Sequence, residues 1–203
     1  METGTEKLPV AAIVLAAGGS TRMGQPKQLL PIDDQPMVRH LTEVVADSGL
    51  EQVIVVTGAN ARAVEAALIG LPVDLARSES WSEGMSCSMR SGLRALRSEV
   101  QAVLIVLGDQ PGLTAALLQS LVARYQATRA PIVAPVYRGR RGNPVLFDRA
   151  LFPELLAVQG DRGGRALIDR YQDRMEQVEV DDPAVVMDID SPRDYHGLLG
   201  AVG

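Results

Sequence analysis

Apolar positions along the chain gather in short runs that close on glycine, proline or both. The run Val10–Leu15 (VAAIVL) leads into small residues and glycines, residues 53–57 (VIVVT) stop at Gly58, and Ala102–Leu107 (AVLIVL) stops at Gly108. Residues 131–135 (PIVAP) and 175–180 (MEQVEV) are two further strand candidates. Runs without polar alternation are those of strands buried on both faces. The segments between them, 37–48, 61–68, 86–97, 115–127, 163–172 and 192–199, read as helices. Strand, helix, strand in this order predicts an α/β fold, a three-layer Rossmann-like sandwich with a mostly parallel sheet. No internal repeat, low-complexity tract or long linker divides the chain, so one domain is expected.

Glycines and charges cluster where the apolar runs end. Open α/β sheets bind ligands at the carboxyl ends of their strands, where the connections reverse direction. After the first run stands Leu15-Ala16-Ala17-Gly18-Gly19-Ser20-Thr21-Arg22-Met23-Gly24-Gln25-Pro26-Lys27. Small residues let the backbone approach a ligand and turn its N–H groups toward phosphate, and Arg22 and Lys27 are able to neutralise an anion there. No Gly-Lys-Ser/Thr triplet follows, which excludes a Walker loop, and the glycine spacing is not that of a dinucleotide fingerprint.

Composition narrows the class. The chain has 203 residues, 46% hydrophobic and only 3% aromatic, so its core must be built from Ala, Val, Leu and Ile. A formal net charge of −5 argues against a nucleic-acid surface, which demands a basic face. No apolar run is long enough to span a bilayer, the first residues do not resemble a signal peptide, and a cytoplasmic location with no membrane partner is expected. Cys87 is the one cysteine, which excludes an intrachain disulfide and a Cys-rich metal site.

The first loop, read with Gly84-Met85-Ser86-Cys87-Ser88-Met89-Arg90-Ser91-Gly92, Gly108-Asp109-Gln110-Pro111, Gly142-Asn143-Pro144-Val145-Leu146-Phe147 and Asp188-Ile189-Asp190-Ser191-Pro192, resembles NTP-transferase domains. It is most similar to their molybdenum-cofactor cytidylyltransferase branch, over roughly residues 10–197. The resemblance implies a nucleotide-diphospho-sugar-transferase-like fold, a single NTP-transferase domain over residues 1–203 with residues 1–8 a disordered tail, and transfer of CMP from CTP to the phosphate of molybdopterin. It implies that Leu15, Ala16, Ala17, Gly18, Gly19, Ser20, Met23, Gly24 and Asp109 contact the nucleotide, with Lys27 on the triphosphate and Arg22 assisting. Lys27, Arg22 and Asp109 are then the catalytic set. Asn143, Asp161 and Arg165 are expected on the acceptor side, beside the basic stretch Arg138-Gly139-Arg140-Arg141. Asn143 and Gly164 depart from the family, which more often has His and Ala there. A molybdenum hydroxylase is the implied recipient of the product.

Asp109 follows an apolar strand at the sheet edge where a ligand sits. Mg²⁺ (or Mn²⁺) takes one or two carboxylates and completes its octahedron with phosphate oxygens and water. In resembling enzymes the second metal ligand falls where Asp190 stands. Asp188 and Asp190 are two apart, so on an extended segment both face one way. The ordinary readings are a turn at Asp109 and a helix cap at Asp190 or Ser191, with Pro192 opening the last helix. Ser86 or Ser88 is placed to cap the helix after Gly84. His40, His196 and Cys87 are expected to be boundary or packing residues.

A phosphate monoester has its second pKa near 6, so such an acceptor is already a dianion and needs no general base. Three other readings stand beside this one. A guanylyltransferase is disfavoured by Ala17, where the guanylyl branch usually has Gly, and transfer to a sugar or alditol phosphate is the other alternative among transferases. A non-catalytic molybdopterin carrier has no use for Lys27, Asp109 and Asp190 together. A nicotinamide-dependent reductase would need an acidic residue where Val56-Thr57-Gly58 stands.

Overall fold

The computed structural model of the protein describes residues 7–21, 23–160 and 164–201. Its elements in chain order are β1 (Val10–Leu15), β2 (Pro31–Ile32), β3 (Gln35–Pro36), α1 (Met37–Ala46), β4 (Gln52–Thr57), α2 (Ala61–Ala67), β5 (Asp74–Arg77), α3 (Met85–Arg94) and β6 (Ala102–Leu107). They continue with α4 (Ala115–Thr128), β7 (Ile132–Tyr137), β8 (Arg140–Arg141), β9 (Val145–Asp148), α5 (Phe152–Ala157), α6 (Arg165–Arg170), β10 (Met175–Glu179) and α7 (Pro192–Ala201). The main sheet runs β10-β7-β9-β6-β1-β4-β5, with β8 paired to β7, and β2 pairs with β3 apart from it. Among the described residues, only β8 and β9 run antiparallel to their neighbours in the main sheet. The fold is the mostly parallel α/β architecture that the sequence pattern predicts.

Successive side chains of a strand face opposite ways, and β1 shows what each face buries. Ala12 and Val14 join Val38, Leu41 and Val45 of α1, Val64 of α2 and Leu118, Leu121 and Tyr125 of α4. Ile13 points the other way, into Met89 and Leu93 of α3, Leu155 of α5 and Leu167 and Ile168 of α6. Helices therefore cover both faces, which is why β1 carries no polar position. No helix among the described residues is long and apolar enough to cross a membrane.

Several elements differ from the sequence expectation. The strand β5 was not expected, because as an edge strand it holds its place by backbone pairing to β4 and stays polar and largely exposed. The strand β9 inserts between β6 and β7, and its four residues were too few to stand out. The expected cap at Ser86 or Ser88 is not formed: α3 starts after Gly84, which has φ of 117°, and both serines are buried within the helix. Leu8, assigned to the tail, instead exchanges hydrogen bonds with Gln126, donating to Oε1 at 3.0 Å and accepting from Nε2 at 2.7 Å. The chain is therefore held in place from Leu8 at the latest.

The connections run outward from β1 to β4 and β5 and then return to β6 on the other side of β1. That reversal leaves a crevice at the carboxyl ends of β1 and β6, where a ligand site is expected. Gly108 closes it tightly: its N–H donates to Leu15 O at 3.0 Å, and a Cβ there would lie 2.6 Å from the same oxygen.

Candidate active site

The loop after β1 is held from below by one side chain. Gln28 is 3% exposed, and its Nε2 donates to Gly18 O at 2.7 Å and to Ala16 O at 3.4 Å. Its Oε1 accepts from Ser20 Oγ at 3.1 Å, while Ser20 Oγ accepts from the Lys27 N–H at 2.9 Å. Ser20 sits in the left-handed region at φ of 53°, a conformation that this local bonding helps to hold. The sequence reading missed Gln28, since a polar residue beside Lys27 carries no sign of its burial. Gln28→Glu keeps the shape but sets a carboxylate oxygen against two carbonyl oxygens. Leaving these buried groups unsatisfied costs about 1–3 kcal/mol. The expected result is a lower Tm together with a raised KM for NTP, and an unchanged Tm and KM would show that Gln28 does not shape the loop.

Leu15, Ala17, Gly18, Gly19, Lys27 and Asp109 line a cavity of about 340 Å³, closed on its far side by Trp81. A Cβ on Gly19 would meet the Trp81 ring at 3.0 Å, so the indole and the loop backbone lie directly against each other. Ala16, Ser20, Met23 and Gly24 do not line this cavity. Ala16 is buried beneath it, and Met23 packs toward Leu30, Ile32, Met37 and Ile189. Arg22 lies outside the described residues.

Lys27 is where distant parts of the chain meet. Its Nζ lies 2.7 Å from Asp109 Oδ2 and 3.1 Å from Asp190 Oδ1, and it donates to Ile189 O at 3.1 Å. Burial lowers the Lys27 pKa, but the charges and hydrogen bonds of Asp109 and Asp190 more than offset it. The ammonium is thus held above the ordinary lysine range. Ile189 anchors the late segment, since it is buried with Leu30, Ile32 and Met37 and its N–H donates to Asp109 O at 2.9 Å. The capping role falls to Ser191 rather than Asp190. Asp194 N donates to Ser191 Oγ at 3.3 Å, and Asp194 Oδ2 accepts from the Ser191 N–H at 2.7 Å, a reciprocal box.

Asp109, Asp188 and Asp190 each offer an oxygen within 4.8 Å of the others. Asp109 Oδ1 is buried and has no hydrogen-bond partner among the described residues. Burial first, then repulsion from Asp109 and Asp190, raises the Asp188 carboxyl above the ordinary aspartate range. Among the described residues these three carboxylates meet the Lys27 ammonium, and a hard divalent cation suits such an all-oxygen set. Asp188, two residues before Asp190, belongs to the cluster by geometry.

A second cavity of about 660 Å³ adjoins the first, and the two share Met85 and Leu107. Asn143 and Arg165 line it, together with Arg141 and Asp169, while Asp161 lies outside the described residues. The remaining wall is apolar, with Met89, Ile105, Val145 and Phe147 among its residues. Cys87 is buried and packed, within 3.0 Å of Arg90 Nη2. His40 is half-buried and His196 exposed, both away from the two cavities.

The arrangement provides a small glycine-lined cradle ending in a cation and carboxylates, beside a larger cavity with cations of its own. Comparison with known proteins matches residues 12–178 to the MobA-like NTP transferase domain. The chain is 31% identical over 206 residues to nicotine blue oxidoreductase of Paenarthrobacter nicotinovorans, covering 97% of this chain and 100% of that one. Among solved structures, Rv0371c of Mycobacterium tuberculosis H37Rv in complex with manganese superposes with a TM-score of 0.82 at 30% identity, covering 95% of this chain and 99% of that one. A nucleotidyl transferase from Methanothermobacter thermautotroptrophicus also gives 0.82, at 25% identity, over 95% and 97% of the two chains.

Proposed function

This chain belongs to the MobA-like NTP transferase family, a family of nucleotidyltransferases, and from that premise we propose that it transfers CMP from CTP to the phosphate of a molybdopterin-type acceptor. The observation that carries this reading is Lys27 in contact with both Asp109 and Asp190, at the floor of a cavity that opens onto a second one. The loop backbone from Leu15 to Gly19 receives the nucleotide, and Lys27 neutralises its triphosphate. An oxygen of the acceptor phosphate forms a bond to the α-phosphorus as the bond to the pyrophosphate oxygen breaks. Pyrophosphate leaves with the electron pair, and no proton need be removed from a dianionic acceptor. Asp109 and Asp190, with Asp188 beside them, would hold Mg²⁺ or Mn²⁺. The ion would supply charge neutralisation at the phosphates. The manganese complex of the similar Rv0371c supports a divalent ion in this fold. A molybdenum hydroxylase in the cytoplasm is the recipient that this reaction implies.

Specificity for CTP rests on Ala17, which lines the nucleotide cavity and whose carbonyl accepts from Ala59 N at 3.1 Å. CTP is expected to turn over faster than GTP, and Ala17→Gly alone is not expected to reverse the order, since one methyl group is worth only about 1–3 kcal/mol. Pyrophosphate release measured with each NTP, with and without molybdopterin, tests the whole reading. Equal rates with the two nucleotides would remove the CTP assignment, and no release under any pairing would remove the transferase assignment.

The similarity to nicotine blue oxidoreductase favours a second reading, reduction of a small organic substrate by a nicotinamide cofactor. At the end of β4, where a dinucleotide ribose would meet an acidic residue, Thr57 and Gly58 stand instead. Substrate-dependent oxidation of NADH or NADPH, without pyrophosphate release, would establish this second reading over the first.

A further inference from the structure

A third cavity, of about 650 Å³, lies outside the two of the active site and, among the described residues, shares no lining residue with them. Its walls are the turn after β6 at Pro111 and Gly112, the segment from Asp182 to Ile189, and one side of α7. The first two walls meet closely, since a Cβ on Gly112 would lie 3.0 Å from the Cβ of Ala184. The second wall is also tied to the active site at two points. Its Val185 O accepts at 2.8 Å from the N–H of Asn143, which lines the 660 Å³ cavity, and Ile189 N donates to Asp109 O at 2.9 Å. The same wall carries Asp188, which lines this cavity while its carboxylate lies in the cluster with Asp109 and Asp190. One residue thus belongs to two sites.

The lining defines what fits. Pro111, Pro183, Val186, Met187 and Leu198 make it largely apolar, and Met187 stays 54% exposed, a flexible thioether able to adapt to an occupant. Among the described residues its charges are Asp182, Asp188 and Asp194 against Arg193, a balance that favours a cation. Asp194 is engaged by Ser191, whose N–H and hydroxyl both donate to its Oδ2 at 2.7 Å. Asp182 is half-buried, and its Oδ1 accepts from Ala184 N at 2.9 Å. The volume lies within the range of small-molecule sites, about 300–1,000 Å³. We propose that this cavity binds a small apolar molecule carrying one positive charge, and that its occupation weakens divalent-ion binding at Asp109, Asp188 and Asp190, because Asp188 belongs to both sites. A cation brought beside Asp188 lowers the negative potential that a divalent ion meets there. The cavity is thereby an effector site, separate from the nucleotide and its acceptor, and only its effect on the ion rests on the metal reading above.

Calorimetry with benzylamine, benzyl alcohol and benzoate, in the absence of any nucleotide, tests the proposal. Benzylamine, protonated at neutral pH, is expected to bind tighter than either of the others. Gly197 lines the cavity from α7 and a Cβ there meets nothing within 4 Å, so Gly197→Phe fills space while replacing a poor helix former. Asp182→Asn removes a charge and keeps an oxygen for Ala184 N. Each should weaken benzylamine by about tenfold or more. Mn²⁺ should bind about fivefold weaker or more in saturating benzylamine, and by linkage saturating Mn²⁺ should weaken benzylamine by the same factor. Asp188→Asn should abolish that antagonism. The thermal midpoint of each variant is measured first, and Gly197→Leu replaces Gly197→Phe if the latter fails to fold. Parental benzylamine affinity in the folded Gly197 and Asp182 variants would overturn the site, and benzyl alcohol binding as well as benzylamine would overturn the charge. Equal Mn²⁺ affinity with and without benzylamine would overturn the coupling. Absence of Mn²⁺ binding in either condition would remove the metal set and the coupling together, with the cavity still read by benzylamine alone. Because no NTP is present, failure of pyrophosphate release leaves this result standing, and failure here leaves nucleotidyl transfer untouched.

Discussion

Asp109→Asn is expected to lower kcat by about a hundred- to a thousandfold while leaving the fold and the NTP affinity near their parental values. The substitution keeps the size of the side chain and one neutral oxygen, so the packing around Gly108 and Ile189 is retained. It removes the charge that holds Lys27 at 2.7 Å and that, with Asp188 and Asp190, suits a divalent ion. Such neutralisation counts most as charge moves onto the departing pyrophosphate, so turnover suffers more than binding. Asp190→Asn should show the same pattern. The double variant should be little worse than either single one, because both changes disable one site. Steady-state rates at saturating Mg²⁺, with Tm as a control for folding, decide the matter. Near-normal kcat in Asp190→Asn would remove it from the metal set and leave Asp109 and Asp188. Strictly additive losses would mean that the two carboxylates act separately.

Lys27→Ala should change two affinities in opposite directions. NTP binding is expected to weaken by about ten- to a hundredfold, the loss of a charge-assisted phosphate contact worth roughly 1.5–3 kcal/mol. Mn²⁺ binding to the nucleotide-free protein is expected to tighten, because the ammonium competes for oxygens of Asp109 and Asp190 that a divalent ion would use. The same substitution leaves three neighbouring carboxylates without their lysine, so Tm should fall in chelator and recover when Mn²⁺ is added. Calorimetry with CTP and with Mn²⁺ alone reads both arms. Unchanged CTP affinity would reject the phosphate role of Lys27, and weaker Mn²⁺ binding in the variant would reject the competition.

Much of the fold was legible in the sequence, for a specific reason. Strands β1, β4 and β6 are covered by helices on both sides, and that environment fills them with apolar residues apart from Gln52 and Thr57 at the ends of β4. Their runs therefore show their limits, and β1 and β6 stand at the expected bounds. The loop after β1 and Asp109 after β6 were equally legible, because glycines and charges directly after buried strands have few structural uses. The capping of α7 was left between Asp190 and Ser191, and only the reciprocal bonds of Ser191 and Asp194 separated them.

Tertiary structure alone decided the rest. Edge pairing asks nothing of side chains, so β5 carries Asp74-Leu75-Ala76-Arg77 and left no pattern to read. Lys27 meets Asp109 across 82 residues and Asp190 across 163, through the anchoring of Ile189 in a small apolar cluster. Arg141 and Arg165 come to line one cavity because β8 folds back on β7 while α6 packs across the sheet through Leu167 and Ile168. Local pattern records the environment of each residue taken singly, whether buried, exposed, turning or capped. Which charges then share a cavity depends on how the layers dock, and docking is set by the shape of the packed core, which no single stretch of sequence contains.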